Sequence, residues 1–234
     1  MCGRYLTPDE AAFERHFGVP APTEYFSSYN VAPSQPAPVV LIDTKGDAAG
    51  ERRAEMLTWG FKPGWARRSW INARSETVFR SNAFAEAARG RRCLVASAGW
   101  YEWQGDATPK QPYVHYAPRF EPLALAGIWT SAVEDGVRRR TFAILTRPAV
   151  PEVEWVHDRM PVVLAPQDYA AWLGPDTPRP ELERVLAESR PAAIETRPVS
   201  TYVNKPAHDD PRCIEPLTAG EADDPEQDPA ERDG

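Results

Sequence analysis

Arg92-Cys93-Leu94-Val95-Ala96-Ser97-Ala98-Gly99-Trp100-Tyr101-Glu102-Trp103-Gln104 reads as two strands, residues 92–98 and 100–104, separated by one glycine. Each run is short, mostly apolar or aromatic, and bounded by turn residues, the pattern of a buried strand. The same pattern continues on both sides. Downstream, a turn at residues 106–109 leads to strand-like runs at 113–116, 122–131 and 139–146, the last two divided by Glu134-Asp135-Gly136. Residues 161–164 read as one more strand, 167–173 and 180–189 as helices, and 194–199 as the strand that closes the sheet. Upstream, runs at 38–43 and 53–61 flank a turn at 44–50. Thr7-Pro8-Asp9-Glu10 opens a first helix, with Thr7 as the cap, Glu10 completing a capping box and Gly18 as the stop. A second helix covers 81–89 and ends at Gly90. Strands and helices do not alternate as a parallel βα array would require, and no internal repeat is present. The expectation is a single α+β domain, residues 1–220, on a mostly antiparallel, barrel-like sheet with flanking helices.

Composition sets limits on function. Hydrophobic residues make up 42% and charged residues 26%, ordinary for a soluble globular chain. No apolar run is long enough to cross a bilayer and no signal-peptide pattern opens the chain, so no membrane partner is expected. Cys2, Cys93 and Cys213 are odd in number and widely spaced. They form neither a disulfide framework nor a metal pair, which points to a reducing, cytoplasmic compartment. The net charge of −7 is concentrated at the C-terminus, where residues 221–234 hold seven acids against Arg232 alone. That segment reads as a disordered acidic tail. The rest of the chain is within one charge of neutral, with arginine clusters at Arg67-Arg68, Arg89/Arg91/Arg92 and Arg138-Arg139-Arg140.

Four short stretches carry chemistry. In Met1-Cys2-Gly3-Arg4-Tyr5, removal of Met1 would give Cys2 a free α-amine beside its thiol. Reference pKa values of about 7.7–8.0 and about 8.5 make both groups partly available as nucleophiles near neutral pH. The pair can close an aldehyde into a thiazolidine, or the thiol can attack an amide with the amine as base. In Trp100-Tyr101-Glu102-Trp103, strand alternation puts Glu102 on the face of Trp100. Aromatic surroundings would raise its pKa and suit it to proton transfer. His157 lies in Trp155-Val156-His157-Asp158-Arg159-Met160-Pro161, with an acid and a base next to it in sequence, as a tuned imidazole often has. Asn72 and Arg74 share one face if residues 71–74 are extended, an amide and a guanidinium suited to a sugar hydroxyl and a phosphate. Each also has a plain structural explanation: a small residue at position 2, an edge glutamate, a structural histidine, a turn asparagine. No Cys or His pair has zinc spacing and no glycine-rich phosphate loop is present, so neither metal nor cofactor is expected.

Taken together, the chain resembles the SOS-response-associated peptidase (SRAP) proteins, which shield abasic sites in DNA. The resemblance lies in Met1-Cys2-Gly3-Arg4-Tyr5, Tyr29-Asn30-Val31-Ala32-Pro33, Trp59-Gly60-Phe61, Asn72-Ala73-Arg74-Ser75-Glu76-Thr77, Gly99-Trp100-Tyr101-Glu102-Trp103, His157-Asp158-Arg159-Met160-Pro161 and residues 199–204. Each motif alone is weak; seven in order are specific. Ala98 departs from the pattern, which has an acid there. The resemblance implies that Cys2 traps the ring-opened aldehyde of an abasic deoxyribose as a thiazolidine. It further implies that Asn72 holds the amine or sugar, Glu102 moves protons during imine formation and Met1 release, and His157 assists sugar opening. Arg4, Arg74, Trp65 and Asn30 would face the DNA. The implied partner is single-stranded DNA with abasic sites, bound by a monomer in the cytoplasm, at the nucleoid in a bacterium. Replication proteins cannot be read from the chain. The rival readings are an N-terminal nucleophile amidotransferase and a non-covalent single-strand binding module.

Overall fold

The computed structural model describes residues 2–42, 50–105 and 109–217. The tail at 221–234 and most of the turns expected at 44–50 and 106–109 lie outside them. In chain order the strands are β1 Arg4–Leu6, β2 Pro36–Ile42, β3 Arg52–Trp59, β4 Asn72–Arg74, β5 Arg92–Ser97, β6 Gly99–Gln104, β7 Gln111–Tyr116, β8 Leu123–Glu134, β9 Val137–Pro148, β10 Arg159–Pro161, β11 Val163–Leu164 and β12 Glu195–Pro198. The helices are α1 Glu10–Phe17, α2 Ala85–Gly90, α3 Pro151–Glu154, α4 Tyr169–Leu173 and α5 Arg179–Glu188.

Five strands close into a mixed barrel. β2 lies antiparallel between β3 and β5, β5 pairs with β8, and β8 with β9. β9 then returns to β3 in parallel, at Thr58↔Thr141 and Trp59↔Phe142. The β8–β9 hairpin turns through Asp135 (φ 51°) and Gly136 (φ 77°), both in the left-handed region that a two-residue hairpin loop requires. Side-chain alternation separates two cores. Val39, Leu41, Val95, Leu125 and Ile144 belong to one, with Cys2, Trp59 and Trp100. Val40, Leu94, Ala126 and Leu145 belong to the other, where α1, α2, α4 and α5 supply Phe13, Ala88, Trp172 and Val185. Buried on both faces, β5 has no exposed residue. Gly127 marks the tightest point: a Cβ there would come within 2.7 Å of the Cys93 Sγ and 2.8 Å of Val95.

A second sheet, β1-β6-β7-β12, is wholly antiparallel. The chain passes from barrel to sheet between β5 and β6, where a Cβ on Gly99 would meet the His115 carbonyl at 2.6 Å. The glycine that separates two strand patterns in the sequence is therefore the corner between the two sheets.

The structure corrects two local expectations. Asp9, not Thr7, caps α1, its carboxylate accepting from the Ala12 N–H at 2.8 Å; Thr7 instead bonds Ser28. The strand expected at 161–164 is broken at Val162. Its N–H goes to the Leu145 carbonyl of β9 and its own carbonyl accepts from Ala126 of β8, so one segment ties two strands. The mostly antiparallel, barrel-like sheet is as expected, and the sequence left open where its few parallel pairs fall: they close the barrel and attach β4 to β9.

Candidate active site

β1 is the edge of the small sheet, and its register with β6 sets Arg4 opposite Tyr101 and Tyr5 opposite Trp100. Continued by one residue, that register brings Gly3 beside Glu102. Cys2 then reaches across to the barrel, where its carbonyl accepts from the Asn72 Nδ2 at 2.8 Å. Asn72 is placed by β4, which pairs with Ile144 of β9. The preceding Ile71 carbonyl is fixed by the Trp59 indole N–H at 2.9 Å and the Ile144 N–H at 3.0 Å. Cys2 is fully buried, in the same core cluster as Tyr5, Trp59, Trp100 and Met160.

The electrostatics join three motifs that are far apart in sequence. Burial pushes the Glu102 carboxyl up to about 7, and the charge of Asp158 acts in the same direction. Burial also raises the Cys2 thiol well above its ordinary value, and the nearby charge of Glu102 raises it further. His157 is lowered, chiefly by burial. Its Nδ1 lies 2.9 Å from both the Arg159 N–H and the Asp158 carboxylate. It cannot serve both at once: a lone pair accepts from Arg159, whereas a proton would be needed to bond Asp158. The lowered pKa favours the neutral ring, and acceptance from the Arg159 N–H at Nδ1 would place its proton on Nε2. The structure thus brings Cys2, Asn72 and Glu102 together, with His157 beside the Asp158 whose charge acts on Glu102. Three polar atoms there, the Asn72 Oδ1, the Tyr5 hydroxyl and the Trp100 indole nitrogen, are buried and have no hydrogen-bond partner among the described residues.

Two supports went unread in the sequence. Arg159 binds both carboxylate oxygens of Glu76 and the Thr146 carbonyl (2.8 Å). That clamp joins the His157 segment to the Asn72 segment. Gln104, at the end of β6, donates to the Trp155 carbonyl at 2.9 Å and holds the same segment from the other side. Glu76 and Arg159 are opposite charges within two of the quoted motifs, which is the signal that could have paired them.

The expected DNA-facing residues divide. Arg74 is exposed and follows Asn72 on the same face of β4, its neighbour Ala73 being buried. Trp65 is 67% exposed and joins Trp129, Arg138 and Arg140 around a cleft of about 610 Å³. Asn30 is buried instead, its amide donating to the carbonyls of Val203, Lys205 and His208. Its Oδ1 accepts from Arg4, whose guanidinium also bonds the Val203 and Asn204 carbonyls. Arg4 and Asn30 tie β1 to the 199–208 segment. Among the described residues no group of His, Cys, Asp and Glu is arranged to hold a metal, and no helix is long and apolar enough to cross a membrane.

A mixed barrel and a side sheet that hold a buried cysteine against a high-pKa carboxyl define a cysteine-centred α+β domain. The chain belongs to the SOS response associated peptidase (SRAP) family, whose model matches residues 1–206. It is 32% identical over 200 residues to the abasic site processing protein YoqW of Bacillus subtilis (strain 168), covering 82% of this chain and 87% of that one. It is 28% identical over 229 residues to the abasic site processing protein YedK of Escherichia coli (strain K12), covering 93% and 100%. Among solved structures, a Bacteroides thetaiotaomicron protein superposes with a TM-score of 0.78 at 20% identity, over 93% of this chain and all of that one, a likeness of fold. A phage-related protein of Bordetella bronchiseptica gives 0.67 at 31% identity, over 85% and 94%.

Proposed function

We propose that this protein processes abasic sites in single-stranded DNA by trapping the lesion covalently on Cys2. The observation that carries the reading is the position of Cys2 between the Asn72 amide and the buried Glu102. Hydrolysis of the Met1–Cys2 bond frees the α-amine. The amine adds to the ring-opened aldehyde carbon and water leaves, giving an imine. The Cys2 sulfur then bonds that carbon and the thiol proton passes to nitrogen, so aldehyde, amine and thiol become thiazolidine plus one water.

Each neighbour has a task in this sequence. Glu102, with a pKa of about 7, can give a proton to the departing hydroxyl and take one from the thiol near neutral pH. The open Oδ1 of Asn72 suits an amine N–H or sugar hydroxyl beside Cys2. Neutral His157, donating through Nε2, assists opening of the sugar ring. Arg74 meets a flanking phosphate and Trp65 offers a stacking face. Arg4 and Asn30 act indirectly, by fixing the strand that carries Cys2.

The test is a denaturing gel after mixing the protein with an abasic oligonucleotide, without reductant. Wild type should give a stable adduct. Cys2→Ser keeps the amine but closes the ring poorly, so its adduct should need borohydride to survive. Stable Cys2→Ser adduct at the wild-type rate without reductant would mean that sulfur is not the trapping atom.

A further inference from the structure

A second basic cleft begins one residue beyond Arg74. The β4–β9 register pairs Arg74 with Thr146, and the Ser75 N–H continues it to the Thr146 carbonyl at 2.9 Å, so Ser75 lies beside Arg147. Here a cavity of about 600 Å³ opens between the end of β9, α3 and α5. Arg147 is 93% buried, yet its hydrogen bonds come from Nη1 alone, to the Ala187 and Ser189 carbonyls. Its Nε and Nη2 make no hydrogen bond among the described residues. Burial lowers its pKa and the charge of Arg190 lowers it further, so two guanidiniums repel each other across this wall.

The carboxylates in the cleft do not relieve that repulsion. Glu76 is held by Arg159, and Glu183 by Arg179 at 2.9 Å. Arg80 bonds only the Glu76 backbone carbonyl. Among the described residues no acid is paired with Arg80, Arg147 or Arg190. A buried cation without a counter-charge is costly, and an anion in the cleft would remove the cost. An adjoining cavity of about 550 Å³ shares Arg147 and Arg190 and is walled by Val150, Met160 and Ile194. An apolar wall beside unmatched guanidiniums suits a phosphate attached to a sugar and base.

We propose that this cleft is a nucleotide phosphate site, occupied during capture by a nucleotide flanking the lesion on the same strand. Three strand residues separate Ser75 from Asn72, about 10 Å along the sheet. A strand whose lesion sits at Cys2 and Asn72 therefore reaches Arg147 and Arg190 after passing Arg74. This assignment to the lesion strand rests on the function proposed above; the phosphate chemistry does not.

Binding of an undamaged single-stranded oligonucleotide, followed by fluorescence anisotropy against salt, tests the site without the covalent step. Arg80 and Arg190 lie outside the catalytic group, so the double variant R80A/R190A should fold and cross-link, but bind about 3- to 10-fold more weakly near 0.1 M salt. Its log–log salt slope should fall by about 0.7 for each phosphate left without its arginine. R147K, which keeps charge but loses the guanidinium fork, should weaken binding in the same direction. Thymidine monophosphate, with inorganic phosphate as competitor, supplies the second arm. Mononucleotide binding lost in the double variant, with strand binding unchanged, would keep the phosphate site but assign it to a free nucleotide. Unchanged affinity in both arms overturns the proposal. Wild type that binds the strand but makes no adduct would overturn the proposed function and leave this site standing.

Discussion

Burial sets Glu102 near 7, and this has a cost that can be measured. A carboxyl whose folded pKa is raised binds its proton more tightly in the folded state. Its favourable contribution is complete below about pH 4.5 and is lost as pH rises through about 7. Above pH 7 the buried carboxylate destabilises the fold. Glu102→Gln should therefore raise stability at pH 8 by up to about 3 kcal/mol, with the gain vanishing by about pH 4.5. His115 has the opposite sign: burial lowers it to about 4, so its contribution is present above about 6.5 and lost as pH falls toward 4. The two trends oppose each other in wild type, and Glu102→Gln should make acid unfolding steeper over that window. Urea titrations at pH 8, 6 and 4.5 check both trends. The same variant should slow adduct formation while leaving non-covalent DNA binding near normal, since a proton is lost but shape is kept. Equal stability of the two proteins at pH 8 would mean that burial does not disfavour the Glu102 carboxylate.

At the scale of elements, the site depends on short segments held by a few side chains. β4 has three residues and the His157 segment enters β10, also three; neither would keep its place alone. The Glu76–Arg159 clamp joins them. Glu76→Gln should cost about 0.5–1.5 kcal/mol, because the pair is partly exposed, whereas Arg159→Ala should cost about 1–3 kcal/mol, because it strips hydrogen bonds from buried oxygens as well. Both should slow capture more than they weaken strand binding. A double-mutant cycle with no coupling between the two positions would contradict the clamp. The strands themselves were legible in the sequence, since apolar runs punctuated by Gly99 and Asp135-Gly136 carry a local signal. Glu102 was legible for the same reason, alternation placing it with Trp100. The barrel's parallel closure was not, because pairing Thr58 with Thr141 leaves no trace in either segment. The hydrogen bonds that Arg4 and Asn30 make were equally hidden, since their partners at 203–208 lie more than 170 residues away.

At the scale of the whole molecule, two sheets supply the two halves of one site. The barrel brings Asn72 through β4, and the small sheet brings Glu102 through β6, with Cys2 between them. If capture takes place there as proposed, the acidic residues beyond 220 are not needed for it. Truncation after Gly220 should leave capture intact, or faster at low salt, because seven acids no longer repel the DNA backbone. A large loss of capture would place the tail in the site.

Covalent capture through both nucleophiles of Cys2 is the central claim, and intact mass spectrometry tests it most directly. Purified protein should be lighter than the full sequence by one methionine. After incubation with an abasic oligonucleotide and no reductant, the adduct should equal that shortened protein plus the oligonucleotide minus one water, and should persist under denaturing conditions. An active protein that retains Met1 would contradict the account, and so would an adduct that survives only after reduction.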